Sequence, residues 1–289
     1  MHKILTALPR PELKPFVRVF ASRDVSCTGD GFRQYDIASL EHILSFDFGD
    51  LSTLHYANGQ SKLVPRIHVV GSQTAASSYA HFHGRHNGFG IFLKPLASWQ
   101  LFRIPPAVLA NENGDGRDLL GNGIGILWQQ LAEKDTFQER IRVAEDYLLP
   151  FAINALPKTI VMETAHHTYR RKGAVKIQDL AGNSSLGLRQ YDRRFVTEIG
   201  FSPKLFARMT RFQSALDAKR MAPGRSWLSI AHQMGYFDQM HMVRDFKSLA
   251  GKAPSEIFDQ IGDYQPWSLS SPETPYYFPE AGLRLRARR

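Results

Sequence analysis

The stretch GYFDQMHMVRDF, Gly235 to Phe246, decides how the C-terminal half of this sequence folds. Gly235 supplies a tight turn and Asp238 a helix cap. Met242, Phe246 and Leu249 then follow at spacings of four and three, which makes one buried helical stripe. Arg244 points away from that stripe. A stripe alone would give one more amphipathic helix on a core. The arginine-bearing face asks what lies outside, and a second copy of the pattern upstream bears on the answer.

RRFVTEIGFSPKLF from Arg193 and RDFKSLAGKAPSEIF from Arg244 align at a constant offset of 51 residues. Arg193, Phe195, Gly200, Pro203 and Phe206 match Arg244, Phe246, Gly251, Pro254 and Ile257. Upstream, Leu180-Ala181 answers Ile230-Ala231, with a one-residue slip in the intervening turn. Each copy reads as helix, turn, helix, glycine stop and a new helix begun by proline. Gly200 and Gly251 suit the left-handed conformation that ends a helix. Ser202-Pro203 places a capping hydroxyl before a proline whose missing N–H is harmless in a first turn.

Tyr191, Phe195 and Ile199 form the buried stripe of the first copy. The opposite faces carry Arg189, Gln190, Arg193 and Arg194 in the first, and Met240, His241, Arg244 and Lys247 in the second. Arg can bond guanine bidentately, Gln can bond adenine, and Met can touch a thymine methyl. A single copy would not exclude an ordinary solvated face; two copies at fixed spacing argue against it. Between them, Pro203 to Met221 reads as one helix with Leu205, Phe206, Met209, Phe212 and Leu216 inward. Nineteen residues span roughly 28 Å, approaching the ~34 Å that separates successive major grooves on one face of DNA.

Charge follows this division. Residues 1–170 hold 17 Lys+Arg against 16 Asp+Glu, and residues 171–289 hold 19 against 11. A basic region joined to a nearly neutral one fits a polyanion-binding module; the bland reading is a solubilising surface plus the basic tail RLRARR. At 289 residues, 43% hydrophobic and 22% charged, the chain has room for two domains with proper cores. No run of eighteen apolar residues is present, so no membrane span is expected. The N-terminus MHKILTALPRPELK does not read as a signal peptide, and Cys27 is alone. A reducing cytoplasm is the expected compartment.

The first hundred residues read as short strands: FRQYDIASL from Phe32, EHILSFDFGD from Glu41, RIHVVGSQ from Arg66 and GFGIFLKPL from Gly88. SWQLFRI predicts a short helix stopped by Pro105-Pro106, and LANENGDGRDLLGNG a polar loop. Helical periodicity follows in GILWQQLAEK and in TFQERIRVAEDYLL, where Thr136 and Glu139 form a capping box. Pro150 and Pro157 are expected to bracket a linker. The expected division is therefore 1–155, 156–265 and a disordered basic tail at 266–289.

LAGNSSLGLRQYDRRFVTEIGFSPKLF with SIAHQMGYFDQMHMVRDFKSLAGKAPSEIF resembles the AraC/XylS-type transcription regulators, over about residues 158–262. The resemblance implies an α+β protein: an all-α DNA-binding domain of two helix-turn-helix units joined by one long helix, behind a cupin-like β-barrel sensor with a helical extension. Its base-contacting positions correspond to Arg189, Asp192 and Arg193, and to Gln239, Met240 and Arg244, with Gln190 and His241 beside them on the same faces. Phosphate anchoring is implied for Arg194, Lys204 and Lys247. Double-stranded DNA is the expected partner, with a small-molecule effector in the barrel. Residues 125–150, which in such regulators often carry dimer contacts, imply a homodimer. The first unit departs from the pattern: Ser185 stands where glycine is usual, Gly187 where a capping serine is usual, and Asp192 faces the groove side.

HFHGRH sets His81, His83 and His86 close together, and cupin enzymes bind metal through an HxH pair. Alternation would put His81 and His83 on one strand face, but the glutamate of the enzyme motif is missing. A surface loop or effector-pocket lining is expected, with Phe82, Phe89, Phe92 and Trp99 as candidate pocket aromatics. The alternative is a metal-dependent cupin-type enzyme fused to a DNA-binding domain. No P-loop, nucleophile elbow or GxGxxG before a helix is present, so no cofactor and no catalytic residue is expected.

Overall fold

The structure, a computed structural model, describes residues 2–27 and 29–257; the expected tail at 266–289 lies outside them. Nine strands open the chain: β1 His2–Ala7, β2 Val17–Ser26, β3 Phe32–Tyr35, β4 His42–Asp47, β5 Thr53–Tyr56, β6 Ser61–Leu63, β7 Ile67–Val70, β8 Ser78–Phe82 and β9 Arg85–Leu93. After helix α1 (Ala97–Phe102) and a 3-10 turn (Pro106–Leu109) comes β10 (Asn113–Asp115). Helices α2 (Gly116–Leu120), α3 (Gly123–Ala132) and α4 (Phe137–Ile153) complete the N-terminal part. The C-terminal part is helical: α5 (Ile160–Arg170), α6 (Ile177–Asn183), α7 (Leu188–Ile199), α8 (Pro203–Met221), α9 (Trp227–Gln233) and α10 (Gln239–Ala250).

The strands form two antiparallel sheets, ordered β1-β2-β9-β4-β7-β10 and β3-β8-β5-β6, which do not close into one ring. The second sheet ends on β6, three exposed residues long and followed by Pro65, which has no N–H to extend a ladder. Alternation along β4 shows how the larger sheet is used. Leu44 and Phe46 join Phe20, Phe89 and Ile91 in a core with Leu127, Leu131, Ile141 and Leu148 of α3 and α4. Ile43, Ser45 and Asp47 face the other way, toward the smaller sheet.

Several local expectations change. Phe32–Leu40 is strand only to Tyr35, because Ala38 leaves the sheet to donate its N–H to the Leu249 carbonyl at 2.9 Å. The Leu109–Gly123 stretch carries β10 and α2 rather than a plain loop: β10 pairs with β7, and Asp115 caps α2 by accepting from the Arg117 N–H. Pro150 does not open the linker but lies inside α4, near its end, where a missing N–H removes a single helical bond. The connection is tied to α1 by the Leu156 N–H on the Gln100 carbonyl and the Trp99 indole N–H on the Pro157 carbonyl. Thr136 and Glu139 make the expected capping box. Among the described residues, no helix is long and apolar enough to cross a membrane.

Candidate nucleic-acid interface

α7 and α10 are each twelve residues long, and their starts lie 51 positions apart, as the repeat requires. Both end on a glycine in the left-handed region, Gly200 at φ 99° and Gly251 at φ 74°. Tyr191, Phe195 and Ile199 of α7 and Met242, Phe246 and Leu249 of α10 are buried in one core. α8 runs through that core for nineteen residues, with Phe206, Met209, Phe212 and Leu216 buried and Leu205 packed at its edge. Phe212 meets Phe246 edge-on with centroids 4.7 Å apart, and Phe195 meets Phe206 at 5.7 Å. One helix therefore carries both units.

The outward faces follow. Arg189, Gln190, Asp192 and Arg193 are exposed on α7, and Gln239, Met240, Arg244 and Lys247 on α10. Lys204 is exposed in the first turn of α8, where the helix end favours anions. Two of the expected residues are less free. Arg194 is half-buried and held at 2.9 Å by Glu198, one turn along its own helix. His241 is half-buried, packed edge-on against Tyr236 with centroids 5.4 Å apart.

Two residues of this region escape periodicity. Phe237, in the turn before α10, is 90% exposed, a large apolar ring beside the exposed Met240. Asp245 is buried, and Arg208 of α8 reaches it at 2.8 Å, pinning α10 to the long helix. Asp245 also helps to raise the buried Tyr236 phenol, though burial is the larger cause. Asp245 was detectable as an acid beside the apolar stripe, but its partner lies 37 residues away. Phe237 gives no signal, because an aromatic in a turn normally buries itself.

The N-terminal part grips both α7 and α10 at their C-terminal ends. An added Cβ on Gly200 would lie 2.5 Å from the Ala110 Cβ and 2.9 Å from the Ala107 Cα, so only glycine allows this approach. At α10, Ala38 donates to the Leu249 carbonyl, and its own carbonyl accepts from the Gln213 amide of α8. Arg18 of β2, fully buried, bonds Glu41 through two nitrogens and is favoured further by Asp217 of α8.

A cavity of about 140 Å³ lies between the two sheets. Of the candidate aromatics only Phe82 lines it; Phe89 and Phe92 are buried in other layers, and Trp99 packs against the helical core. His81 is half-buried, His83 exposed and His86 buried, and none of them lines the cavity. β8 ends at Phe82, so His83 lies just past the strand, yet its ring still meets that of His81 edge-on with centroids 5.6 Å apart. The His81 ring faces the Asp30 carbonyl and the His86 ring the His83 carbonyl. Among the described residues, no three His, Cys, Asp or Glu side chains are placed to hold a metal ion.

Residues 180–260 match the family model described as a helix-turn-helix domain, which spans α7 and α10 with the rod between them. The C-terminal region is an AraC-type helix-turn-helix domain. No curated protein sequence matches the chain. Among solved structures, an apo form of ToxT from Vibrio cholerae carrying one substitution is similar at a TM-score of 0.52 and 10% identity, covering 88% of this chain and 99% of that one. ToxT from the same organism with bound unsaturated fatty acid gives 0.48 and 13%, covering 88% and 94%. The AraC-like transcriptional activator CuxR gives 0.26 and 14%, covering 73% and 86%. At such identities the likeness to apo ToxT is one of fold: a sheet-rich domain ahead of the AraC-type domain.

Proposed function

We propose that the protein is a sequence-specific DNA-binding transcription regulator that reads two consecutive major grooves with α7 and α10. One observation carries the reading. Two helices of equal length, each buried on one face and basic on the other, are fixed to a single rod of roughly groove-to-groove length. In this reading Arg189, Gln190, Asp192 and Arg193 face the bases of one half-site. Gln239, Met240, His241 and Arg244 face the other, and Phe237 adds apolar contact to a thymine methyl. Lys204 and Lys247 hold phosphates. Arg194 joins them only by leaving Glu198.

The N-terminal domain is proposed to report occupancy of its cavity. Residues 36–41 carry the argument: Asp36, Ile37, Ser39 and Glu41 line the cavity, while Ala38 bonds α8 and α10. A ligand that moves this segment changes the grip on the reading helices. A homodimer through α3 and α4, and a cytoplasmic setting, belong to the same proposal; exposed Ile126 and Ile153 lie on those helices.

The test is selection of bound duplexes from a random pool with the full chain, followed by mobility-shift titration at several salt concentrations. A specific regulator enriches a bipartite site and loses affinity steeply with salt. An unenriched pool overturns the reading.

A further inference from the structure

The cavity between the sheets holds more charge than a plain apolar pocket, and most of that charge is already matched. The Arg23 guanidinium lies 4.1 Å from the Phe82 ring centroid and donates to Gln34 at 2.9 Å. Burial lowers its pKa to about 10, and nearby Asp47 opposes that fall. Asp47 also faces the His68 ring at 3.6 Å. Glu41 is bound to Arg18. Lys62 sits on the exposed strand β6 at the rim.

Asp36 is different. One carboxylate oxygen accepts from the Ser78 hydroxyl at 2.5 Å, and among the described residues no basic side chain forms an ion pair with it. Burial raises its carboxyl to about 6, with only the Ser78 bond acting against the rise. Burial raises the Tyr56 phenol, and the charges of Glu112 and Asp36 add to the rise. A buried carboxylate with no basic partner is complementary to an ammonium through charge. Ile43, Leu54, Val70 and Phe82 supply an apolar part of the wall, and Ser39, Ser45, Ser52, Gln73 and Asn113 are among its polar remainder. A cavity near 150 Å³ accommodates about one benzene ring.

We propose that this cavity binds a small primary amine of about one ring in size, with its ammonium on Asp36 and its body among Ile43, Leu54, Val70 and Phe82. The proposal deepens the effector reading and rests on it for its biological meaning. The binding event itself stands or falls separately.

The experiment titrates the full chain with benzylamine, benzyl alcohol and benzoate, three probes with the same ring, by ligand-observed NMR. Benzylamine is expected to bind at least about tenfold tighter than benzyl alcohol, a difference of about 1.4 kcal/mol, with benzoate weakest. Asp36→Asn brings amine and alcohol within about twofold of each other. Ala80→Leu, which fills the cavity from β8, abolishes binding of both and keeps the test usable should Asp36→Asn not fold. No binding by any probe, a preference for benzoate, an unchanged preference in Asp36→Asn, or amine binding retained in Ala80→Leu each overturns the proposal. Mobility shifts on the same preparations separate the two claims. DNA binding without amine binding removes the ligand class alone, whereas amine binding with no change in DNA affinity confirms the site and removes the effector role.

Discussion

Ser185 and Gly235 occupy the same place in the two units, the residue that turns the chain between the paired helices. Both have positive φ, 54° and 71°. Serine pays ~1–2 kcal/mol for that conformation, and glycine does not, although glycine loses more chain entropy on folding. Ser185→Gly is therefore expected to stabilise the protein by about 0.5–1 kcal/mol in urea denaturation, and no gain would mean the turn is unstrained. His42 offers a second test. It is buried, its Nε2 faces Ser72 at 2.9 Å, its Nδ1 has no partner among the described residues, and burial lowers its pKa to about 4. Because the unfolded chain titrates near 6.5, the unfolded state takes up the proton first. Stability present above pH ~6.5 is lost as pH falls toward 4, by about 3 kcal/mol. Asp36 opposes this, since its raised pKa favours the folded state between about 6 and its unfolded value near 3.8. Comparing denaturation midpoints of the parent and His42→Gln from pH 7 to 4.5 isolates the histidine: the variant should lose less. An equal loss would show that His42 is not buried neutral.

At the scale of elements, the long helix α8 was legible to its ends and α7 and α10 to their glycine stops, whereas α5, α6 and α9 were not delimited. Gly200, Gly251, Ser202 and Asp238 are local stop and start signals, and the stripes of α7, α8 and α10 are periodic. The asymmetry between units was less visible, because it depends on partners far apart in sequence. α10 is tied to α8 by Asp245 and Arg208, whereas in α7 the matching position is Arg194, held by Glu198. The Asp245 Oδ2 has no hydrogen bond among the described residues. Arg208→Ala thus strands a buried carboxylate and should cost about 2–3 kcal/mol, loosening α10 more than α7. Hydrogen exchange reads this directly: faster exchange confined to α10 fits, and equal change in both helices does not. In the N-terminal part, the limits of β3 and the existence of β10 and α2 were illegible for the same reason. Ala38 and β10 are placed by partners at Leu249 and β7 rather than by their own sequence.

At the scale of the molecule, the sheet-rich domain and the helical domain meet at several places among the described residues: Gly200 lies on Ala107 and Ala110, Ala38 bonds α8 and α10, Arg18 lies beside Asp217, and Ile37, Leu40 and Leu96 join the helical core. Both α7 and α10 are therefore held at their C-terminal ends while Arg189, Arg193 and Arg244 stay exposed. Sequence announced two domains and the basic character of one; it could not announce how closely they join, because alanines and glycines at a contact carry no distinctive pattern. The central claim is that α7 and α10 read separate grooves of one duplex. Base-by-base interference mapping on a selected site, with the parent, Arg193→Ala and Arg244→Ala, tests it most directly. Two contacted clusters about 10–10.5 base pairs apart are expected, each variant losing its own cluster and about 1–3 kcal/mol of affinity. A single cluster, or two variants with the same altered pattern, would contradict it.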